Sequence, residues 1–234
     1  MRLARYLALC GVAARRKCED FIATGRVSVD GRTISDPAFN VDERQTAALD
    51  GNVLHLPRPE ERFYAMLHKP VGVVSTLAVG REKGPCLSDI IDIPARVFPV
   101  GRLDRASSGL LLLTDDGDLT YKIIHPKHHI LKEYLVKLNR RLLPKDIERF
   151  VKGIVVDNRP VEVDELRPEA GGRWRITIHE GRKHIVRRLF RALKITVVEL
   201  KRTKVGPIAL GRLPVGKWRK LTEKEIQQLI KERQ

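Results

Sequence analysis

Three kinds of feature are scarce in this chain. It has three cysteines, Cys10, Cys18 and Cys86, an odd number with no C-x-x-C spacing. A disulfide framework and a thiolate zinc site are therefore excluded as organising features, and buried reduced thiols are expected. No apolar run reaches 18 residues, so no membrane span is read from it. Arg5, Arg15 and Arg16 interrupt the apolar residues near the start; a signal-peptide core is not expected, and the protein is assigned to a reducing cytoplasm. Carboxylates are the third scarcity. Residues 170–220 hold only Glu180 and Glu199 against fifteen Lys/Arg, a net of +13, whereas residues 1–58 set seven Asp/Glu against nine Lys/Arg, a net of +2. The whole chain carries +16. That balance points to a polyanionic partner, nucleic acid ahead of a membrane surface, recruited mainly by the C-terminal half.

What the chain does have is enough apolar residue, 42% of 234, for one large domain with a small appendage. Between Arg2 and Ile22 the apolar positions Leu3, Leu7, Cys10, Ala14, Phe21 and Ile22 follow helical spacing broken at Gly11-Val12, which predicts two short helices. Arg15, Arg16 and Lys17 open the second and Gly25 closes it. Arg26 to Gly31 is a strand entering a tight turn. The polar, two-proline stretch His55–Arg62 reads as a linker, giving domains over 1–58 and 63–234.

In the second domain, Val97, Phe98 and Val100 predict a short strand that Gly101 ends. Leu110–Leu113 predicts a strand covered on both faces, bounded by Gly109 and the Asp116-Gly117 pair. Asp104 lies in the loop between them, flanked by Arg102 and Arg105, and opposite charges favour the ionised form of a carboxylate. Read without further context, such an aspartate is more often half of a structural ion pair than catalytic. Phe63–Leu67 is a strand candidate, and residues 76–89 read as a loop. A helix through Leu119, Ile123 and Ile124 is stopped by Pro126. His125, His128 and His129 follow it; no carboxylate or thiol stands at ligand spacing, so no metal is expected. Lys132–Leu138 alternates as a half-buried strand with Tyr134 on the face of Lys132, Val136 and Leu138. Pro144–Lys152 is a helix with Ile147, Phe150 and Val151 on one side. Strands are expected around the Asp157-Asn158 turn, at Arg173–Ile178 and at Val197–Lys204. Between the last two, Ile185, Val186, Leu189, Phe190 and Leu193 form one stripe of a basic helix, flanked by Arg187 and Arg188. Thr222–Glu225 is a capping box with a Leu221/Ile226 staple.

Gly101-Arg-Leu-Asp-x-x-Ser-Ser-Gly-Leu-Leu-Leu-Leu-Thr-Asp-Asp-Gly117 resembles the signature of the pseudouridine synthases of the RsuA/RluB type, enzymes that isomerise uridine in ribosomal RNA. Lys69-Pro70-Val71-Gly72 resembles that family's first motif, Lys132-Glu-Tyr-Leu-Val136 its tyrosine motif, and Gly181-Arg-Lys-His-Ile-Val-Arg-Arg188 its basic-helix motif. The order Leu-x-x-x-Leu, Gly-Val-Ala-x-Arg-Arg, Ile-x-x-Gly-x-Val-x-Val-x-Gly at the N-terminus is similar to the S-four-type RNA-binding domain.

The resemblance implies an α+β protein: a small N-terminal α/β RNA-binding domain and a larger synthase domain with a mixed, mostly antiparallel sheet flanked by helices. It implies Asp104 at the sugar, Tyr134 at the C5 proton, and Arg187 paired directly with Asp104. Arg102 would fill the space left by a flipped uridine. Lys69, Arg182, Lys183, Arg188, Arg15, Arg16, Lys17 and Arg26 would touch RNA. No metal or organic cofactor is expected. The partner is ribosomal RNA, preferably that of the large subunit (23S), and a monomer is expected. Two rival readings are a non-catalytic ribosomal-RNA-binding or assembly protein, and a hydrolase using Asp104 with Asp115 or Asp116.

Overall fold

The computed structural model describes residues 1–42, 44–77 and 84–231. They form two compact units, residues 1–62 with 115–117, and residues 63–114 with those from 118 onward. In the first, helices α1 (Leu3–Leu9) and α2 (Arg15–Ala23) precede strands β1 (Val27–Val29), β2 (Arg32–Ile34), β3 (Ala47–Leu49) and β4 (Asn52–Val53). The two helices part at Gly11, whose φ of +80° suits a residue without a Cβ. Asp30 and Gly31 both take positive φ, the turn whose twist matches its flanking strands. It closes the antiparallel β1–β2 pair, and the sheet runs β2-β1-β3-β4. Leu3, Leu7, Cys18, Ile22, Val27 and Val29 make its core. Strands β3 and β4 escape a sequence reading because their alanines and asparagine carry little strand preference.

The second unit contains β5 (Tyr64–Lys69), β6 (Phe98–Pro99), β7 (Ser108–Thr114), α3 (Gly117–Ile124), β8 (Lys132–Leu138), α4 (Pro144–Val151), β9 (Ile154–Val156), β10 (Arg159–Val161), β11 (Glu165–Glu169), β12 (Arg173–Ile178), α5 (Ile185–Ala192), β13 (Val197–Val205), β14 (Ile208–Ala209), β15 (Trp218–Lys220) and α6 (Glu223–Lys231). Its main sheet has the order β11-β12-β8-β13-β7-β5-β15, with β14 beside β13 and β6 beside β7. Among the described residues the β7–β13 pair is the parallel one of this sheet, so the sheet is mixed and mostly antiparallel, as the resemblance implied.

The continuous apolar run Leu110–Leu113 is explained by the two faces of that sheet. Leu111 and Leu113 join Ala65 and Leu67 under α5 and α4, while Leu110 and Leu112 join Tyr64 and Met66 under α3 and α6. All four leucines are buried, each gaining about 1.5–3 kcal/mol on leaving water. A strand covered on both sides has no polar face to alternate with.

Several local expectations need correction. Val151 is 84% exposed although Ile147 and Phe150 on the same helix pack inward; it is the last residue of α4 and lies outside the face those two bury. Helix α5 begins only at Ile185. Arg202, near the end of the strand read over Val197–Lys204, is buried. Strand β11, rich in Glu and Arg, gave no apolar signal. The loop read over 76–89 falls partly on 78–83, outside the described residues; Leu87–Asp89 within it is a turn of 3-10 helix.

At the C-terminus the capping box forms: Glu225 N–H donates to Thr222 Oγ1 at 3.3 Å and Thr222 N–H to Glu225 Oε2 at 2.8 Å. Arg219 adds a bidentate pair at 2.8 and 2.7 Å. That guanidinium, helped by the Thr222 amide, holds the Glu225 carboxyl down at about 2 against the outward push of burial. A depressed carboxyl pKa stabilises the fold above the unfolded value near 4.5 and loses that contribution as pH falls toward about 2. Glu225→Gln is accordingly expected to flatten the pH dependence of unfolding free energy across that window in urea titrations. An unchanged slope would mean the pair contributes nothing.

Candidate active site

The loop between β6 and β7 is held from both sides through its backbone. Ser75 Oγ donates to Leu103 O at 2.8 Å and accepts from Leu103 N–H at 3.1 Å. Gly72 N–H donates to Arg105 O at 2.8 Å, and Arg105 Nε returns a bond to Gly72 O at 3.0 Å. Ser107 N–H closes a turn onto Asp104 O at 2.9 Å. From the far side Arg187 on α5 donates to Ala106 O at 2.9 Å and to Val197 O at 2.8 Å. The Asp104 carboxylate takes no part in these ties, so it is positioned without being consumed by the fold.

It faces a cavity of about 990 Å³. Arg102, Asp104 and Ser107 from the loop, Lys132 and Tyr134 from β8, Arg182, Lys183 and His184 ahead of α5, and Leu200 and Arg202 from β13 line it, with Ile123 and Ile124 of α3 at one side. Register explains the convergence. Tyr134 lies opposite Arg202 on β13 and Ile176 on β12, and the parallel pairing of β7 with β13 sets Arg202 beside Gly109. Arg202 Nε donates to Leu110 O at 2.8 Å.

The site is ringed by buried cations. Lys132 donates to Ile130 O and His179 O at 2.8 and 2.9 Å; burial, then the Arg202 charge, lowers its pKa to about 8, with Asp164 opposing. Lys69 lies behind the loop, 0% exposed. Its ammonium donates to Pro70 O and Val73 O, both at 2.8 Å. Burial lowers its pKa to about 8, while the Asp104 carboxylate pulls it up and Arg202 pushes it down.

Two expectations fail here. Lys69 cannot touch RNA in this structure, because its side chain is sealed inside and spent on two carbonyls. Arg187 is not paired with Asp104: its guanidinium grips the loop's backbone two residues on, and the carboxylate is met instead by His184, whose Nε2 lies 3.2 Å from Asp104 Oδ1. The helix starts one residue after His184, so it is the His184 side chain and not that of Arg187 that overhangs the loop. His184 itself sits at φ +57°, a conformation uncommon for a residue with a Cβ and frequent at functional positions.

The basic residues divide. Arg102 and Lys183 stand exposed at the cavity, with no side-chain partner among the described residues. Arg182 also lines it but is engaged with Glu180 at 2.6 Å and Val156 O at 3.0 Å. Arg188 is paired to Asp157 on the β9–β10 turn. Much of the +13 segment is thus committed internally. Arg15, Arg16, Lys17 and Arg26 belong to the other unit. Arg15 and Lys17 make only loose exposed pairs, to Glu19 at 3.6 Å and Asp20 at 3.7 Å. Arg26 holds Asp50 and covers the Phe21 ring at 4.5 Å. Exposed pairs of this kind contribute about 0–1 kcal/mol and exchange readily for phosphate.

Sequence reasoning did not single out Lys132, Ser107, His184 or Arg202. Lys132 could have been found from its shared face with Tyr134. Arg202 required the β7–β13 pairing, which no local pattern announces. Among the described residues no group of His, Cys, Asp or Glu is arranged to hold a metal, and no helix is long and apolar enough to cross a membrane.

A carboxylate facing a phenol inside a pocket lined with cations can hold one unit of a polyanion and carry out proton-transfer or nucleophilic chemistry on it. Comparison with known proteins agrees. Residues 63–192 match the RNA pseudouridylate synthase family and residues 1–46 the S4 domain. An uncharacterized RNA pseudouridine synthase of Aquifex aeolicus is 38% identical over 237 residues, covering 99% of this chain and 94% of that protein. The ribosomal large subunit pseudouridine synthase B of Bacillus subtilis is 35% identical, covering 97% and 95%. A crystal structure of a pseudouridylate synthase superposes with a TM-score of 0.70 at 30% identity, over 98% of this chain and 99% of that one. An aspartate loop, a tyrosine strand and a basic helix meeting at one cavity, within likeness that runs the length of both chains, make this protein a member of the RNA pseudouridine synthase family, an isomerase of uridine in RNA with an S4 domain at its N-terminus.

Proposed function

We propose that the chain converts a uridine of ribosomal RNA, in the large subunit, to pseudouridine, with Asp104 as the group that acts on the sugar and Tyr134 as the group that receives the C5 proton, directly or through water. The bond from the sugar to N1 breaks, the base turns, and a bond from the sugar to C5 forms; C5 loses a proton and N1 gains one. Nothing is oxidised or reduced, so neither metal nor organic cofactor is required. The observation that carries the reading is the placement of the Asp104 carboxylate in a cation-lined cavity shared with Tyr134. Flipping a base from its stack costs a few kcal/mol, and exposed Arg102 on the same loop would occupy the vacated space. The S4 domain, with Arg15, Arg16 and Lys17 on one helix, would position RNA by its phosphates without reading sequence. Preference for the large subunit follows the Bacillus relative's name.

The test is tritium release from ribosomal RNA transcripts labelled at C5 of uridine. Release from large-subunit but not small-subunit transcripts is expected; none from either would refute the reading.

His184 enters as a positioning residue. A hydrogen bond to a charged group is worth about 1.5–3 kcal/mol, so His184→Ala is expected to lower kcat about tenfold or more with KM nearly unchanged. His184→Gln, which keeps an N–H donor, should recover part of the rate. His184→Gly also relaxes the positive-φ backbone, so it should keep stability while losing rate. Full kcat in His184→Ala would remove the role.

A further inference from the structure

At the C-terminal end of α3 lies a group of rings that the proposed chemistry does not use. Tyr121 lies on α3 and His125 is the first residue beyond its end, its N–H donating to Tyr121 O at 2.9 Å; their ring centres are 4.8 Å apart. His128 stands 6.1 Å from Tyr121 and 6.3 Å from His125, and the Lys127 ammonium lies 5.2 Å from the centre of the Tyr121 ring. We propose that these rings form a stacking shelf for the unpaired nucleotides that flank the uridine in the cavity, a proposal that rests on the isomerase reading above.

Aromatic clusters normally fill a core, yet Tyr121 is 46% exposed. The His125 ring is fixed in place because its Nδ1 accepts the Lys127 N–H at 3.3 Å. Burial, with the Lys127 cation beside it, keeps the His128 imidazole toward its neutral form, and its buried Nε2 has no partner among the described residues. The shelf is therefore pre-set, with one cation over its surface.

Its location identifies the occupant. Ile124, 43% exposed, lines the cavity. Its Cγ2 lies 3.3 Å from where a Cβ on Gly101 would stand, three residues before Asp104. Ile124 is thus a rim with the Asp104 loop on one side, Tyr121 on its own helix and His125 next to it in the chain. An RNA strand with one base held at Asp104 must carry the adjoining nucleotides over that rim. Unpaired bases are recognised by stacking on Tyr and His rings, every base offers a π face, and Lys127 complements the phosphates. On a chain of net charge +16, this chemistry favours single-stranded RNA over a protein partner.

The experiment uses the full-length protein, a short oligouridylate carrying one 2-aminopurine, and an RNA duplex of mixed sequence. Wild-type protein should quench the 2-aminopurine on binding. Replacing Tyr121 and His125 together by Leu should abolish the quench and weaken oligouridylate binding about tenfold. The dependence of affinity on salt and the affinity for duplex should stay unchanged, since no Lys or Arg is removed. Tyr121→Phe should behave as wild type, and with Tyr121 exposed and His125 half-buried the fold should stay intact, checked by thermal melting. Undiminished quench and affinity in the double variant, or an equal loss on duplex RNA, would overturn the shelf. Quenching that depends on Tyr121 in a protein releasing no tritium would sink the isomerase reading alone; tritium release with no quench in wild type would sink the shelf alone.

Discussion

Asp104→Asn is expected to reduce tritium release by about 10⁴-fold or more while leaving RNA affinity within a factor of about two. The substitution exchanges one charged oxygen for an amide of the same shape. None of the bonds that hold the loop is lost, because Ser75, Gly72 and Arg187 grip backbone atoms of Leu103, Arg105 and Ala106. On the proposed reading, affinity would rest on cations elsewhere, chiefly exposed Arg102 and Lys183 at the cavity and the helix of Arg15, Arg16 and Lys17. On that reading, only the anion that would attack or deprotonate the sugar disappears. Single-turnover release together with filter binding separates the two terms. A variant that turns over within tenfold of wild type would place the chemistry on another group.

Gly109→Ala is expected to have the largest effect on stability. A Cβ at that position would lie 2.2 Å from Arg202 O and 2.6 Å from Arg202 N, at a φ of +111°. The opposing atoms are backbone of a central strand, so no side chain can rotate away. The parallel β7–β13 pairing must open, a loss of about 4 kcal/mol or more. In a chain of this size that lowers Tm by about 10 °C or more. The same opening would pull Arg202 from Leu110 O and deform the cavity wall, so activity should fall with stability. A melting temperature within a degree or two of wild type would show that the strands do not approach this closely.

The elements legible in the sequence were those set by local patterns. The two N-terminal helices, the Asp30-Gly31 hairpin, the strand of Lys132–Leu138, the apolar stripe of α5 and the capping box of α6 each rest on spacing or turn chemistry that operates within about ten residues. The elements missed were those whose residues argue weakly or wrongly on their own. Strand β11 is Glu-Leu-Arg-Pro-Glu and exists because β12 accepts it. Val151, the last residue of α4, lies outside the face that Ile147 and Phe150 bury.

The site followed the same division. Asp104 and Tyr134 could be named from their motifs, since a motif records residue type and order. What Asp104 touches could not, because that depends on where a helix some eighty residues downstream begins and which side chain overhangs the loop. With α5 starting at Ile185, the His184 imidazole meets the carboxylate and the Arg187 guanidinium holds the backbone beside it. The sequence alone determined the two-part organisation, the basic charge balance and the motif that singles out Asp104 as the candidate aspartate, because charge, periodicity and motif order are properties of the chain. Only the tertiary structure decided that Lys69 is sealed away, that Lys132 and Arg202 line the pocket, and that His184 meets the aspartate. Burial and long-range strand pairing, not residue type, determine which cations remain free to act.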